Sequence, residues 1–321
     1  MKAVVYEAYG PPEVLKIVEI EKPEVPDDEV LVRVCASSVN IAEWYGITGL
    51  FLARLGGGLV RPKDTRLGTD FAGVVEVVGK DVSDFKPGDE VFGGSNGAYA
   101  EYVTVGKEIA PKPANLTFEE AAAVPIAGLT ALQGLRDYGK IQPGQKVLIN
   151  GASGGVGTFA VQIAKAFGAE VTAVCSTRNI ECAHSLGADH VVDYTREDFT
   201  RTGQKYDLLF DVIGSQSWSA CRRVLKPNAT VVLVGGPRTP VIGPLGHITK
   251  MRLTSLGSGR KVVFFVAKFT PEDLMVLKTL LETGKVKPFV ERTYPLPQIA
   301  DAMRYLGTGH AQGKLVIAIA K

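Results

Sequence analysis

The chain has 321 residues, of which 45% are hydrophobic and 22% are charged, and its formal net charge is +2. This length suits two globular domains with a large buried core. The small net charge and the lack of Lys and Arg runs argue against nucleic acid or an anionic membrane as a partner. No apolar stretch approaches the length of a membrane span. We therefore expect a protein that acts on a small molecule.

The cysteines indicate a reducing compartment. They are scattered without a CxxC pair, which gives neither a disulfide framework nor the spacing of a structural zinc site. The first residues enter a strand pattern at once and show no secretory signal. We therefore predict a cytoplasmic protein.

The first hundred residues predict an all-β domain. Short strand-like runs at 4–9, 30–36, 72–78, 90–92 and 99–105 are broken by Gly, Pro and Asp, as in a barrel. One connection, 49–66, carries several apolar residues around three glycines: Leu50, Phe51, Leu52, Leu55, Leu59 and Val60. Such a segment could form a wall of a substrate pocket, or a short helix packed on the barrel.

The pattern changes to helical spacing over 118–138, and from residue 146 onward buried strands alternate with helices. The predicted strands are 146–150, 170–175, 190–193, 207–213, 230–234 and 261–267. Their continuous apolar character indicates a parallel sheet covered on both faces, and hence a doubly wound α/β fold. Because six strands complete that sheet, we expect the final segment, 290–321, to fold back onto the first domain.

A glycine-rich turn follows the first strand of this second domain. Strand 146–150 leads into Gly151-Ala152-Ser153-Gly154-Gly155-Val156-Gly157, and a helical pattern follows. In that context the backbone N–H groups and the helix dipole bind a dinucleotide pyrophosphate. We predict Gly154, Gly155, Val156 and Gly157 as cofactor-binding residues; the alternative is a tight turn without a ligand.

The end of the next strand indicates which dinucleotide binds. Cys175 is followed by Ser176, Thr177 and Arg178, so no carboxylate is available there for a ribose 2′-hydroxyl. Ser176 and Arg178 can instead donate to a 2′-phosphate, which favours NADPH. We predict Ser176, Thr177 and Arg178 as cofactor-binding residues. The alternative is that Arg178 is a solvated charge at a helix start.

Several motifs together carry a family resemblance over essentially the whole chain. They are Ser38-Val39-Asn40, Gly68-Thr69-Asp70-Phe71-Ala72-Gly73, Pro87-Gly88-Asp89-Glu90-Val91, Ala122-Ala123-Val124-Pro125, Gly128-Leu129-Thr130-Ala131 and the glycine turn. The chain resembles the zinc-free members of the medium-chain dehydrogenase/reductase superfamily, in the quinone oxidoreductase group. The resemblance implies an α/β protein with a GroES-like β-barrel catalytic domain, 1–122 and 286–321, and a Rossmann nucleotide-binding domain, 123–285.

The departures from the zinc-dependent alcohol dehydrogenases of that superfamily point to metal-free chemistry. Asn40 stands where those enzymes place a metal-ligand cysteine, and Gly68-Thr69-Asp70 stands for Gly-His-Glu. The four-cysteine structural lobe is also missing, so we expect no zinc. Without that metal, hydride transfer is expected to go to acceptors that delocalise the negative charge, namely quinones and α,β-unsaturated carbonyls.

The resemblance also implies roles for single residues. Asn40 and Tyr45 are expected beside the nicotinamide and substrate, and Tyr45 is a candidate donor to the acceptor oxygen, with solvent or a packing role for Tyr45 as alternatives. The remaining residues expected to bind the cofactor are Thr130, Tyr194, Gly214, Gly235, Gly313 and Lys314.

Two other functions and one assembly state stay open at this point. The chain could reduce enoyl thioesters, or bind NADPH as a sensor or structural protein with little turnover. Relatives commonly dimerise through the last strand of the nucleotide sheet, here 261–267, so we also expect a homodimer.

Overall fold

The computed structural model describes residues 1–50, 54, 57–237 and 244–319. The chain divides into two compact units. Unit 1 contains Met1–Ile126, Lys268–Gly284 and the segment from Pro288 onward, and unit 2 contains Ala127–Ala267 and Lys285–Lys287. No helix in the described part of the chain is long and apolar enough to cross a membrane.

Unit 1 is built on short strands, as its sequence predicts, and all of their pairings are antiparallel except that of β14 with β15. The described strands are β1 (Lys2–Val5), β2 (Lys16–Glu19), β3 (Val30–Ser38), β4 (Asp70–Val78), β5 (Glu90–Gly94), β6 (Tyr102–Val105), β7 (Ile109–Pro111), β14 (Val290–Pro295) and β15 (Lys314–Ala318). A seven-stranded sheet has the order β14-β15-β3-β4-β5-β7, with β6 also paired to β3, and β1 pairs with β2 separately. Alternating buried residues of β3, β4 and β5, such as Val32, Phe71 and Val91, form the core beneath the sheet.

The final segment, which we expect to fold back onto the first domain, lies in unit 1. Strand β15 lies between β14 and β3 and pairs antiparallel with β3, so that Val316 lies opposite Ser38 and Ala318 opposite Ala36. A second core, around Ile47, Tyr99, Met303 and Ile317, includes residues from both ends of the chain. The burial of these side chains, worth about 1.5–3 kcal/mol each, fixes the segment in place.

Helices of unit 1 are α1 (Ile41–Thr48), α2 (Phe118–Ala122), α8 (Pro271–Glu282) and α9 (Ile299–Gly307). The predicted domain boundaries assigned α8 to the nucleotide-binding domain, whereas the structure places it in unit 1. There the Asn115 side-chain amide donates to the Leu281 carbonyl at 3.0 Å. The helix pattern alone carries no information about which sheet the helix packs on.

Unit 2 is the predicted doubly wound domain. Its strands are β8 (Lys146–Asn150), β9 (Glu170–Cys175), β10 (His190–Asp193), β11 (Tyr206–Asp211), β12 (Leu225–Leu233) and β13 (Lys261–Phe264). They form one parallel sheet in the order β10-β9-β8-β11-β12-β13. Its described helices are α3 (Pro125–Gln133), which belongs to unit 2 from Ala127 onward, α4 (Gly155–Ala166), α5 (Ile180–Ser185), α6 (Trp218–Cys221) and α7 (Pro244–Thr254).

The sheet order fixes where a ligand of unit 2 can bind. From β8 the chain adds β9 and β10 on one side of that strand. It then adds β11, β12 and β13 on the other side, so the strand order reverses at β8. Ligands of such sheets bind outside the carboxyl ends of the strands at this switch point. The glycine turn after β8 lies at that place.

Candidate active site

The backbone of the glycine turn in unit 2 is shaped by the lack of side chains. Gly151 has φ of +90°, in the left-handed region that favours glycine. A Cβ on Gly157 would lie 2.0 Å from the Gly151 carbonyl oxygen, so the helix can approach the strand this closely only with glycine. At Gly154, by contrast, the nearest atom to an added Cβ is 3.7 Å away.

Helix α4 begins directly from this turn with an uncompensated positive end. Gly154 is its N-cap, no side chain caps it, and no acidic residue lies in its first turn. The first N–H groups of a helix have no partner within the helix and carry the positive end of its dipole. A phosphate is the type of ligand that satisfies both.

An asparagine that the sequence did not single out ties this turn to the end of β9. Asn179 is buried, and its amide donates to the Ser153 hydroxyl at 2.8 Å and to the Ser176 hydroxyl at 3.3 Å. Ser176 is half-buried, while Thr177 and Arg178 are exposed. The predicted 2′-phosphate residues therefore follow the strand at the surface, next to the glycine turn.

A carboxylate also reaches this region, from β10. Asp193 accepts hydrogen bonds from the Thr177 hydroxyl and, at 2.7 and 3.0 Å, from the hydroxyl and N–H of Thr195. The bond from Thr177 is the main cause that lowers the pKa of the Asp193 carboxyl. Both oxygens have partners within the chain, while the next residue, Tyr194, is 57% exposed.

Three of the glycines predicted to bind the cofactor lie where close backbone packing leaves no room for a side chain. A Cβ on Gly214 would lie 2.7 Å from Gly236, and one on Gly235 would lie 2.2 Å from the Val212 carbonyl oxygen. Gly313 has φ of +66° and would meet the Phe289 carbonyl oxygen at 2.3 Å. Close backbone packing accounts for these glycines, so they give no separate sign of a ligand.

Beside Gly214 lies a buried carboxyl that sequence reasoning missed. Asp211 Oδ1 accepts from the Asn150 amide at 2.8 Å and from the Gly214 N–H at 2.8 Å. Its Oδ2 is buried and has no hydrogen-bond partner among the described residues, and the same holds for His247 Nε2. Burial raises the pKa of the Asp211 carboxyl and lowers that of the His247 ring.

In unit 1 the sheet register brings Asn40, Asp70 and Lys314 together. Ser38 lies opposite Asp70 between β3 and β4, and opposite Val316 between β3 and β15. Beyond this position the Val39 N–H donates to the Leu315 carbonyl at 3.0 Å, and the Lys314 side chain, from the start of β15, donates to Asn40. Residues that are far apart in sequence thereby meet at the end of three adjacent strands.

The Asp70 carboxylate is the centre of this cluster. It is fully buried and accepts from the Ser38 hydroxyl at 2.7 Å, from the Asn40 amide at 3.0 Å and from the Ile126 N–H at 2.9 Å. The Lys314 ammonium lies 3.4 Å from Asp70 Oδ2, and the lysine side chain is 4% exposed. These donors compensate for removing the carboxylate from water.

Glu43 and Tyr99 form a second buried group next to Asn40. Glu43 Oε2 accepts from the Asn40 N–H at 2.8 Å and from the Tyr99 hydroxyl. Its Oε1 has no hydrogen-bond partner among the described residues. Burial raises the pKa of the Glu43 carboxyl to about 7 and is also the main reason that the pKa of Tyr99 lies well above 10.

Tyr45 lies in helix α1, and Thr130 lies in helix α3. Tyr45 is half-buried, with its ring 5.6 Å from that of Trp44, and Thr130 is half-buried in α3. In the connection 49–66, Phe51, Leu52 and Leu55 lie outside the described residues, while Leu59 and Val60 are 61% and 83% exposed. The pocket wall proposed for that connection stays a prediction.

Comparisons with known proteins agree with this two-part architecture. The family "Alcohol dehydrogenase GroES-like domain" matches residues 26–114, and the family "Zinc-binding dehydrogenase" matches residues 186–317. These matches and the parallel sheet define a two-domain oxidoreductase class.

Individual relatives narrow the class. The chain is 36% identical over 333 residues to an Arabidopsis thaliana protein named "NADPH-dependent alkenal/one oxidoreductase, chloroplastic", covering 99% of this chain and 79% of the relative. A quinone oxidoreductase structure from Coxiella burnetii has a TM-score of 0.86 at 32% identity, with 99% of each chain covered. The Escherichia coli quinone oxidoreductase complexed with NADPH has a TM-score of 0.85 at 27% identity, covering 99% of this chain and 100% of that one. The chain belongs to the quinone oxidoreductase group of the medium-chain dehydrogenase/reductase superfamily.

Proposed function

We propose that the chain is an NADPH-dependent reductase of quinones and α,β-unsaturated carbonyls, and that it works by direct hydride transfer without zinc. The observation that carries the metal-free part is the cluster of Asn40, Asp70 and Lys314. Zinc sites use Cys, His and carboxylate ligands, usually four. This cluster offers one carboxylate and one neutral amide, and both already lie against the Lys314 ammonium. A zinc ion does not fit a site that contains a buried cation of the protein itself.

The glycine turn fits the dinucleotide. The uncapped start of α4 suits the pyrophosphate, and the exposed Arg178 with Ser176 suits a 2′-phosphate. The residues proposed to hold NADPH are Asn40, Thr130, Gly154, Gly155, Val156, Gly157, Ser176, Thr177, Arg178, Tyr194, Gly214, Gly235 and Gly313. Lys314, which the resemblance also placed at the cofactor, contacts Asn40 and Asp70 instead. The relatives named for NADPH support this choice over NADH.

The acceptor class follows from charge. When bound, NADPH supplies a hydride, which leaves a negative charge on the acceptor until a proton arrives. In an enolate or a hydroquinone anion that charge is delocalised, and the conjugate acid has a phenol-like pKa of ~10. The alcohol formed from an isolated carbonyl has a pKa of ~16, and bound zinc stabilises the corresponding alkoxide in metal-dependent enzymes. A site without zinc therefore favours conjugated acceptors.

Tyr45 and Asn40 are the proposed catalytic residues of unit 1. A phenol is a hydrogen-bond donor at neutral pH, so Tyr45 could stabilise the developing negative charge on the acceptor oxygen or pass a proton to it. Solvent is the alternative proton source. The variant Tyr45→Phe separates them, because only a direct role lowers kcat while leaving the affinity for NADPH unchanged.

The function is tested by following NADPH oxidation with ortho- and para-quinones, 2-alkenals, enoyl thioesters and simple aldehydes, each with and without a chelator. We expect turnover of quinones and alkenals that the chelator does not change. A preference for simple aldehydes, or loss of activity with the chelator, would contradict the metal-free proposal. A preference for enoyl thioesters would favour the second enzymatic alternative, and binding without turnover would favour a sensor.

Two properties of the protein outside the site complete the proposal. We propose a homodimer through β13, the edge strand of the unit 2 sheet, because Val266 just beyond it is 73% exposed. Sedimentation at micromolar concentration tests this, and a monomer would contradict it. The cytoplasm stays our proposed location on the scattered cysteines.

A further inference from the structure

The Lys314 ammonium contacts three oxygen atoms of unit 1. Its Nζ donates to Asn40 Oδ1, lies 3.4 Å from the Val39 carbonyl oxygen and 3.4 Å from Asp70 Oδ2. An ammonium has three N–H groups, so each has an acceptor within the chain. The lysine side chain is 4% exposed. A lysine in this position has no N–H left for a cofactor phosphate.

These contacts leave Asn40 a single orientation. Its Nδ2 donates to Asp70 Oδ2 at 3.0 Å and to the Ser38 carbonyl oxygen at 3.3 Å, while its Oδ1 accepts from Lys314. Rotating the amide by half a turn would set its NH₂ group against the ammonium and its oxygen against the carboxylate. The ion pair of Lys314 and Asp70 thus distinguishes the two ends of an otherwise symmetric side chain.

The fixed orientation also decides what Asn40 can offer to a ligand. Both N–H groups of its amide are used within the chain, and a carbonyl oxygen has two lone pairs, of which Lys314 takes one. Asn40 is half-buried, so part of its side chain is accessible. What remains is an acceptor, which suits an N–H or O–H of the ligand and not the carbonyl oxygen of an enone or quinone.

We propose that Lys314 is a positioning residue: paired with Asp70, it holds Asn40 so that Oδ1 presents an acceptor to an N–H or O–H group of the bound cofactor or substrate. Lys314 therefore acts through Asn40 and is not itself a ligand of the cofactor. The strand register builds this arrangement, since a shift of β15 by one residue against β3 would turn Lys314 to the other face of the sheet. The part of the proposal that concerns turnover rests on the proposed reductase function.

The test is a double-mutant cycle, in which the Lys314–Asp70 charge pair is removed both with and without Asn40. Lys314→Met alone would leave Asp70 buried without its cation, so the variant to use is Lys314→Met with Asp70→Asn, which removes both charges. In the parent chain this pair of changes is expected to lower kcat/KM for an alkenal by about tenfold to a hundredfold, as misplaced site groups do. In an Asn40→Ala background the same pair of changes should lower it by less than about twofold. An equal fall in both backgrounds would overturn the proposal, because Lys314 would then act independently of Asn40.

A matched control comes from another buried lysine of unit 1. The Lys112 side chain is 6% exposed, lies 3.2 Å from a Glu90 carboxylate oxygen and donates to the Leu116 carbonyl at 2.6 Å. Lys112→Met with Glu90→Gln removes the ion pair of another buried lysine away from Asn40, although its Glu90 side chain is 53% exposed. It should leave kcat/KM within about twofold of the parent; a fall as large as that of the Lys314 pair would mean that the loss reports general destabilisation.

A second measurement does not depend on turnover. In a ¹⁵N spectrum, the side-chain NH₂ signals of Asn40, assigned by their loss in Asn40→Ala, should exchange slowly with solvent in the parent chain. They should exchange at least about tenfold faster in the Lys314→Met and Asp70→Asn variant. Unchanged exchange would overturn the positioning role. If the parent shows this protection but reduces no conjugated acceptor, the reductase function fails while the positioning of Asn40 stands.

Discussion

Replacing Glu43 by Gln should remove a pH dependence of stability that the buried carboxyl causes. Burial raises its pKa from 4.5 to about 7, so the folded state binds this proton more tightly than the unfolded state. The contribution to stability is fully present below pH 4.5 and is lost as the pH rises through about 7. At about 1.36 kcal/mol per pH unit, the total loss is at most about 3 kcal/mol. About 2 kcal/mol of this falls between about pH 5.5 and about pH 8.5.

The assay is urea unfolding of the parent and of Glu43→Gln at both pH values. Gln keeps the shape and an acceptor for the Tyr99 hydroxyl but cannot ionise. The free energy of unfolding of the parent, relative to Glu43→Gln, should therefore fall by about 2 kcal/mol between the two pH values. The difference cancels the opposing contribution of His247, whose pKa burial lowers.

The control is Glu120→Gln. Glu120 occupies the same third position of a helix, where its carboxylate accepts from the Thr117 N–H at 2.9 Å, but it is partly exposed. This variant removes a carboxylate that accepts from the N–H of a helix N-cap, as Glu43→Gln does, but at a position that is not fully buried. The reasoning is refuted if the Glu43→Gln difference is constant or has the opposite sign, because burial would then not dominate the titration of Glu43.

Further predictions concern the cofactor site and the core of unit 2. Arg178→Ala should raise the Kd for NADPH by roughly 10- to 100-fold, the value of a hydrogen bond to a charged group, and that for NADH by less than about threefold; equal effects in fluorescence titrations would remove the 2′-phosphate assignment. Gly157→Ala should abolish NADPH binding and lower the melting temperature, because its Cβ would lie 2.0 Å from a carbonyl oxygen, whereas Gly154→Ala should fold like the parent; similar melting curves for the two would contradict the turn geometry. Leu148→Ala, at a fully buried position, should lower the free energy of unfolding by about 2–5 kcal/mol in urea titrations, and a loss below about 1 kcal/mol would contradict its central packing.

Much of unit 2 could be predicted because its signals are local. Strands buried on both faces are largely apolar, so β8, β9 and the end of β12, residues 231–233, stand out as runs. The glycine turn is equally local, since strand, turn and helix follow one another. The short strand β2, Lys16–Glu19, was missed because three of its four residues are exposed and no apolar pattern marks it.

The polar cluster of unit 1 could be predicted only in part. Asn40 and Lys314 were expected at the site, but their contact with each other is not readable from the sequence, because it depends on the β3–β15 register. Glu43 looks like an ordinary acidic residue in the first turn of a helix. Only its burial against Tyr99, 56 residues away, changes its chemistry.

The position of β15 also sets the order in which the protein can be completed during synthesis. Lys314 follows Asn40 by 274 residues, and β15 lies inside the sheet between β14 and β3. The contiguous part of unit 2, Ala127–Ala267, leaves the ribosome before β15 exists and can fold first, since domains fold as units. Until β15 arrives, the part of β3 that pairs with it, residues 36–38, stays open to pairing with other chains. The nascent chain would thus hold a folded unit 2 while unit 1 is still incomplete, so we expect unwanted pairing during synthesis at the uncovered part of β3.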